Sequence, residues 1–203
     1  MSRLPMFPLG TVLLPGAVLP LHVFEPRYRA LVTDCVAGEP EFGVVLIERG
    51  REVGGGDVRR DVGTVARIVE VATLPDGRSA LVTVGTRRIA VREWLPDDPY
   101  PIADVDDWPD VDDDMADGAL DGVLAHLRRV LALQTELGDP SPPVATEVSD
   151  DPVLATYHAS ALAPLGPDDQ YQLLAAPGPG ARLARLATYL GEAEDRLRFR
   201  IAR

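Results

Sequence analysis

The spacing of apolar residues changes at residue 26 and predicts where strand gives way to helix. Upstream, Leu19, Leu21 and Val23 alternate with the residues between them, as in a strand with one buried face. Downstream, apolar residues recur at the spacing of one helix face: Tyr28, Leu31, Val32, Cys35 and Val36. Pro26 suits a first helical turn, and Gly38 suits a left-handed residue at the end. The sequence therefore predicts an amphipathic helix over 26–37 that lies on a sheet.

Further stretches up to residue 106 have strand patterns. They are 42–47, 64–73, 79–84, 87–91 and 102–105. Pro75-Asp76-Gly77 is a turn sequence and predicts a hairpin between the second and third of these stretches. Gly85 predicts a bulge or bend. Together with the strand pieces in 6–24, which their prolines confine to edges or strand starts, these stretches predict a curved sheet of six or seven strands.

The second half of the chain has a helical period. A boundary rich in proline and aspartate spans 95–117. Beyond it, four predicted helices are separated by prolines: one carries an apolar stripe from Leu120 to Leu137, and the others begin at Pro152, Pro167 and Pro179. The prediction is an α+β protein with a β-rich domain over 1–108, a pseudo-barrel with one helix, and an α-helical bundle domain over 109–203.

Charge and composition exclude several classes of function. The 203 residues carry a net charge of −12, which disfavours binding to nucleic acid and to anionic membrane surfaces. Every basic residue is arginine, so the chain has no Walker A lysine, Schiff-base lysine or Ser–Lys dyad. Cys35 is the only cysteine and is predicted to be a small buried side chain. With neither a disulfide framework nor a long apolar run, the sequence predicts a cytoplasmic protein.

Few residues form a pattern that predicts catalysis or metal binding. The chain has no G-x-S-x-G motif, and none of its three histidines, His22, His126 and His158, lies near a motif serine or near Cys35 in the sequence. Asp112–Asp114 lacks the glycine and the terminal glutamate of a calcium loop, and is predicted to be a solvated run of acids near a helix N-terminus. Glu25 and Arg27 are predicted to anchor the first helix to the sheet. No catalytic residue, metal or cofactor is therefore expected.

One polar loop leaves a ligand-binding interpretation open. Gly54–Gly56 lies among four arginines, which are Arg49, Arg51, Arg59 and Arg60. A glycine-rich loop can cradle phosphate, but it then needs a helix N-terminus after it, and here a strand pattern follows. A solvated loop is one interpretation, and a module that binds a small ligand or nucleotide is the alternative.

Several motifs in the same order resemble the N-terminal domain of Lon proteases. They are Met6–Leu9, Val12–Gly16, Leu21–Tyr28, Phe42–Val45, Val62–Ile68, Leu74–Arg78, Gly85–Ile89 and Asp169–Leu174. The resemblance covers nearly the whole chain and implies a PUA-like pseudo-barrel followed by a helical bundle, associated with holding protein substrates and with subunit contacts. In that family the ATPase and the Ser–Lys protease lie further along, so the chain resembles a stand-alone substrate-binding domain.

The leading hypothesis is a non-catalytic module that binds polypeptides, adaptor-like in protein quality control. The candidate surface is the apolar loop 13–19 beside the helix start, with Leu13, Leu14, Val18, Leu19 and Arg27 as contact residues. The partner is an unfolded or client polypeptide, a protease complex or a second copy of the chain. Leu14→Asp is the substitution that tests this loop. A hydrolase acting on its own is a further hypothesis, which purified protein without peptidase activity would exclude.

Overall fold

The described part of the chain forms six strands and five helices. They are β1 Ser2–Leu9, β2 Val18–Val23, α1 Pro26–Ala37, β3 Glu41–Arg49, β4 Val58–Thr73, β5 Ser79–Leu95, β6 Ile102–Asp107, α2 Ala119–Glu136, α3 Pro152–Leu162, α4 Pro167–Leu174 and α5 Pro179–Ile201. The computed structural model describes residues 2–52, 56–113, 115–143 and 146–202. The chain divides into two units, Met1–Pro109 with all the strands and Asp110–Arg203 with four helices. The predicted α+β class and pseudo-barrel are confirmed.

The long strand β5 closes the sheet on itself. The strand order is β2-β5-β4-β3-β1-β6, and β6 pairs back with β5. The first part of β5, Ser79–Val84, pairs with β2, and its last part, Ile89–Leu95, pairs with β6. The ladder between β4 and β5 shifts register close to Gly85, where the sequence predicts a bulge. Five strands therefore close a small barrel, and β2 extends one end of it as an edge strand.

Helix α1 has the predicted bounds but differs in two details. It begins at Pro26 and ends at Ala37, and four of its five predicted face residues are buried. The fifth, Val36, is 55% exposed. Gly38 has φ −118°, so the predicted left-handed conformation is wrong. Its N–H instead donates to the carbonyls of Asp34 and Cys35, which satisfies the helix end without a positive φ.

The four remaining helices pack around their own aliphatic core. It consists mainly of leucines from α2 and α5: Leu127, Leu131, Leu183, Leu186, Leu190 and Leu197. The Asp151 carboxylate accepts a hydrogen bond from the Leu154 N–H, which is the N-cap that the sequence predicts ahead of Pro152. Within the described part of the chain, no helix is both long enough and apolar enough to cross a membrane.

Candidate functional site

The loop before β2 turns inward. Pro15 and Gly16 are the central residues of a tight turn in which the Ala17 N–H donates to the Leu14 carbonyl at 3.0 Å. Gly16 has φ +79°, the value that a type II turn requires at its third position. The turn buries Leu13 and Leu14, and the Thr64 hydroxyl donates to the Leu13 carbonyl at 2.6 Å. The expectation of an exposed 13–19 surface is therefore wrong for these two leucines.

Gly85 lets this turn approach β5. A Cβ on Gly85 would lie 2.4 Å from the Leu14 carbonyl oxygen, so the backbone would have to move. Gly85→Ala is expected to lower the free energy of unfolding by about 1–3 kcal/mol, because overpacking forces such shifts. Urea unfolding followed by circular dichroism measures this loss. Gly122→Ala is the matched control, since a Cβ on Gly122 meets nothing within 4 Å and alanine is favoured over glycine inside a helix. If Gly85→Ala is as stable as the wild type, the packing argument is wrong.

The remaining part of the loop leads into an open strand edge. The Gly85 N–H donates to the Ala17 carbonyl, so residue 17 faces β5. Backbone groups alternate in an antiparallel ladder, so Leu19 and Leu21 also face β5, while Val18, Pro20 and His22 face outward. No described strand pairs with this outward side. Pro20 has no N–H, but because its backbone faces this outward side, the ladder with β5 loses no hydrogen bond. We call the outward side of Val18–Val23 the β2 edge.

Exposed apolar side chains flank the β2 edge. Val18 is 63% exposed at one end and Phe24 is 53% exposed at the other, while Leu19 is half-buried. A cavity of about 170 Å³ lies beside the edge and is lined by Leu9, Pro20, Leu21, Phe24 and Glu52, among others. The Phe7 and Tyr28 rings, which also line it, stack with centroids 4.0 Å apart. The sequence does not single out Phe24 as a contact residue, although its alternation with Val23 indicates an outward direction.

Arg27 is held by neighbouring groups of the chain. Its Nε donates to a Glu25 carboxylate oxygen at 3.2 Å, and its Nη2 donates to the Glu52 carbonyl at 3.1 Å. The guanidinium also lies 4.4 Å from the centre of the Tyr28 ring. Burial raises the pKa of Tyr28 to about 12, so this ring stays neutral at physiological pH. Glu25 and Arg27 do pair, as predicted. The hydrogen bond that ties the start of α1 to another segment is that of Arg27 with Glu52, which lies after the end of β3 and not in the sheet to which the sequence predicts the anchor.

The groups that could act as nucleophiles or bases are dispersed. Burial raises the pKa of the Cys35 thiol to about 11, so almost none of it is thiolate at neutral pH. His126 bonds a Glu194 carboxylate oxygen at 2.8 Å. His158 accepts from the Ser149 N–H at 3.1 Å, and burial lowers its pKa. Across the described ranges, no three His, Cys, Asp or Glu side chains are grouped so that they could hold a metal ion.

The arginine-rich loop is occupied largely by ion pairs. Arg59 binds Asp57 and Asp97, each at 2.7 Å, and Arg60 lies 3.5 Å from Glu48. Arg49 and Arg51 are exposed. Gly54 and Gly55 of the predicted glycine cradle lie outside the described residues. The small-ligand interpretation stays a prediction, and the carboxylates around Arg59 and Arg60 compete with any anion that would bind there.

Comparison with known proteins places the chain in one family. The family model described as the ATP-dependent protease La (LON) substrate-binding domain matches residues 3–192. Lon protease 2 of Herpetosiphon aurantiacus is 32% identical over 198 residues, which are 95% of this chain and 24% of the relative. Lon protease of Roseiflexus castenholzii is 30% identical over 190 residues, which are 92% of this chain and 24% of the relative. The chain thus spans about a quarter of the length of these relatives.

Solved structures agree with the sequence relatives. A Lon N-terminal domain protein from Xanthomonas campestris superimposes with a TM-score of 0.69 and 31% identity, covering 93% of this chain and 99% of that one. The N-terminal domain of Mycobacterium avium complex Lon protease has the same fold, with a TM-score of 0.63, 20% identity and coverage of 94% and 98%. By its sequence over residues 3–192, the chain belongs to the family of Lon substrate-binding domains.

Proposed function

We propose that this chain is a non-catalytic, adaptor-like module that binds extended segments of client polypeptides in protein quality control. The observation that carries the proposal is the β2 edge, an open strand edge with an exposed apolar side chain at each end. The family description, which names a substrate-binding domain, supports a polypeptide as the ligand. The absence of lysine from the sequence means that the chain itself contributes neither a Walker A lysine nor a Ser–Lys dyad.

Backbone pairing explains how such a module would accept many sequences. An added strand would bond the N–H and C=O groups of Val18 and His22 and the carbonyl of Pro20. These groups are common to every residue, so pairing with them does not depend on the client's side chains. Because Pro20 provides no N–H, the edge is too interrupted to template long sheets, which limits aggregation of the module itself.

The energies of the available hydrogen bonds indicate that the backbone of the β2 edge alone binds a client weakly. Five backbone hydrogen bonds at about 1 kcal/mol each correspond to a dissociation constant near the millimolar range. Burying Val18 and Phe24 against a client adds about 1.5–3 kcal/mol for each side chain that becomes fully covered. The apolar ends therefore decide whether binding reaches the micromolar range, and a charge placed there has a large effect.

The test compares two exposed valines. Val18→Asp is expected to weaken binding of a fluorescein-labelled, reduced and alkylated protein by at least about tenfold in fluorescence anisotropy, since the loss of one buried valine is worth that much. Val111→Asp is the matched control, because Val111 is 60% exposed and Val18 is 63% exposed. Equal affinities of the two variants and the wild type would remove the β2 edge from the proposal.

A further inference from the structure

A second open edge lies at the far end of the β4–β5 hairpin. Strand β4 pairs with β3 only as far as Arg67, but it pairs with β5 as far as Thr73. The Ile68 N–H donates to the Pro40 carbonyl at 2.8 Å, just before this end of the strand. Beyond it, Val69–Thr73 has β5 on one side and no described strand on the other. This edge is separate in sequence from the β2 edge.

The hydrogen bonds at the turn determine which residues face outward. The Leu74 N–H donates to the Arg78 carbonyl at 2.8 Å, so residue 74 faces β5. The register from Glu70 to Thr73 is regular, and alternation therefore turns the N–H and C=O groups of Val71 and Thr73 outward. The side chains of these two residues line a groove, so backbone groups and apolar surface occur together.

This groove runs between the hairpin and α1. It has a volume of about 700 Å³, and its α1 residues extend from Pro26 to Ala37. At 1.5 Å per helical residue this is about 16 Å, the length of about five extended residues. Val36 lines the groove, which explains why this valine is exposed although the helical period predicts it to be buried. We call this surface, bounded by α1 and Val69–Thr73, the β4 groove.

One positive charge marks one end of the β4 groove. Arg29 is the only charged side chain among its described lining residues, and no acidic partner occurs for its guanidinium in the described structure. The guanidinium lies against Gly77 of the hairpin turn, beside the first half of α1. Glu25 at the N-cap of α1 is paired with Arg27, so the charge at this end of the groove is that of Arg29. An occupant with a carboxylate at this end is electrostatically complementary.

We propose that the β4 groove binds an extended apolar segment of a partner polypeptide whose aspartate or glutamate side chain meets Arg29. The segment pairs with the outward backbone groups of Val71 and Thr73, and its apolar side chains cover Val36 and Val71. The inference rests on the proposed function only in that the occupant is a polypeptide. It adds a second surface and a preference for an acidic residue at one end of the apolar segment.

The test uses short synthetic peptides with blocked ends. One peptide alternates valine and serine over six residues and has a glutamate at each end, so that either strand direction brings one of them to Arg29. A second replaces both glutamates with glutamine. A third is the glutamate peptide with N-methyl groups on alternate residues. Binding is measured from amide chemical shifts of the protein. The glutamate peptide is expected to bind at least fivefold more tightly than the glutamine peptide, with the largest shifts at Val71 and Thr73. The N-methylated peptide is expected to lose binding, since it cannot form the strand ladder.

Protein variants separate this proposal from its alternatives. Arg29→Gln should abolish the preference for glutamate, whereas Arg129→Gln, a change at an exposed arginine of α2, should retain it. An unchanged preference in Arg29→Gln, or shifts confined to residues 18–22, would overturn the proposal. The proposal would also be overturned if a peptide without glutamate, but with a free C-terminal carboxylate, bound as tightly as the glutamate peptide. Val18→Asp should keep the preference for the glutamate peptide, whether or not this variant still binds unfolded protein. Binding of unfolded protein therefore tests the β2 edge, and the glutamate preference tests the β4 groove independently.

Discussion

Arg182→Ala is expected to destabilise the helical unit by about 3–5 kcal/mol, the cost of breaking a buried ion pair by removing one partner. The Arg182 side chain is completely buried, and its guanidinium pairs with the Asp110 carboxylate at 2.5 Å. The same guanidinium donates to the hydroxyls of Thr156 and Tyr157 at 2.8 and 2.7 Å, and to the Leu173 carbonyl. Its removal leaves several buried acceptors with one donor fewer, and it opens a cavity.

Urea unfolding of Arg182→Ala and Arg185→Ala measures this effect. Arg185 lies on the same helix, but its hydrogen bonds to Gln172 are exposed, so its loss should cost less than about 1 kcal/mol. Arg182→Met keeps most of the side-chain volume and should recover the part of the loss that comes from the cavity. If both alanine variants unfold at the same urea concentration, the buried network does not stabilise the unit.

Leu14→Asp is expected to unfold the β-rich unit under conditions in which the wild type is stable. Leu14 is 2% exposed, and its carbonyl lies against Gly85 of β5. The substitution removes a buried leucine and places a carboxylate with no positive partner in its position, at a cost of at least about 4 kcal/mol. Since a whole domain is stable by only about 5–15 kcal/mol, most of its stability would be lost.

This expectation changes how binding experiments should be read. A loss of client binding in Leu14→Asp would report unfolding, whereas Val18→Asp changes an exposed side chain and leaves the core intact. Thermal unfolding of the two variants distinguishes these cases: the transition temperature of Leu14→Asp should fall steeply, and that of Val18→Asp should stay close to the wild-type value. A wild-type transition in Leu14→Asp would contradict the inward turn at Pro15-Gly16.

Features set by local chemistry could be predicted from the sequence. Pro26 starts α1, Pro75-Asp76-Gly77 forms the hairpin turn, and Asp151 caps α3, because each depends on dihedral angles or hydrogen bonds within a few residues. The burial of Leu13 and Leu14 could not be predicted, since it depends on Thr64, which bonds the Leu13 carbonyl, and on Gly85, which lies against the Leu14 carbonyl. Both partners are at least fifty residues away in the sequence. An apolar loop looks the same in sequence whether it folds onto its own sheet or toward a partner.

The acidic segment shows the same limit. The sequence predicts solvated acids near a helix N-terminus, and Asp113 does accept hydrogen bonds from the Gly180 and Ala181 N–H groups, but these begin α5 rather than α2. The two bonds lower the pKa of Asp113, so its carboxylate stabilises the start of α5 above the pKa of an unfolded aspartate, and this contribution is lost as the pH falls through the lowered value. Only the fold brings Asp113 to a helix that is more than sixty residues away.

The β2 edge is likewise visible only once the register is known. Pro20 indicates an edge strand, but the outward direction of Val18 and His22 follows from the bond between Gly85 and Ala17. The chain leaves Phe24 exposed beyond the last paired residue of β2, and Arg27 is already bound to Glu25. Of the five contact residues predicted from the sequence, Val18 and Leu19 therefore remain the ones that a client could meet without displacing other contacts.

Hydrogen exchange at single amides tests the proposed function most directly. Val18 and His22 are the two residues of the β2 edge whose N–H groups face outward, so their amides should exchange quickly in the free protein. With a saturating unfolded, alkylated client, both amides should become protected, while exposed loop amides of the helical unit should exchange as before. Unchanged exchange at Val18 and His22, with the client bound, would contradict strand addition at the β2 edge.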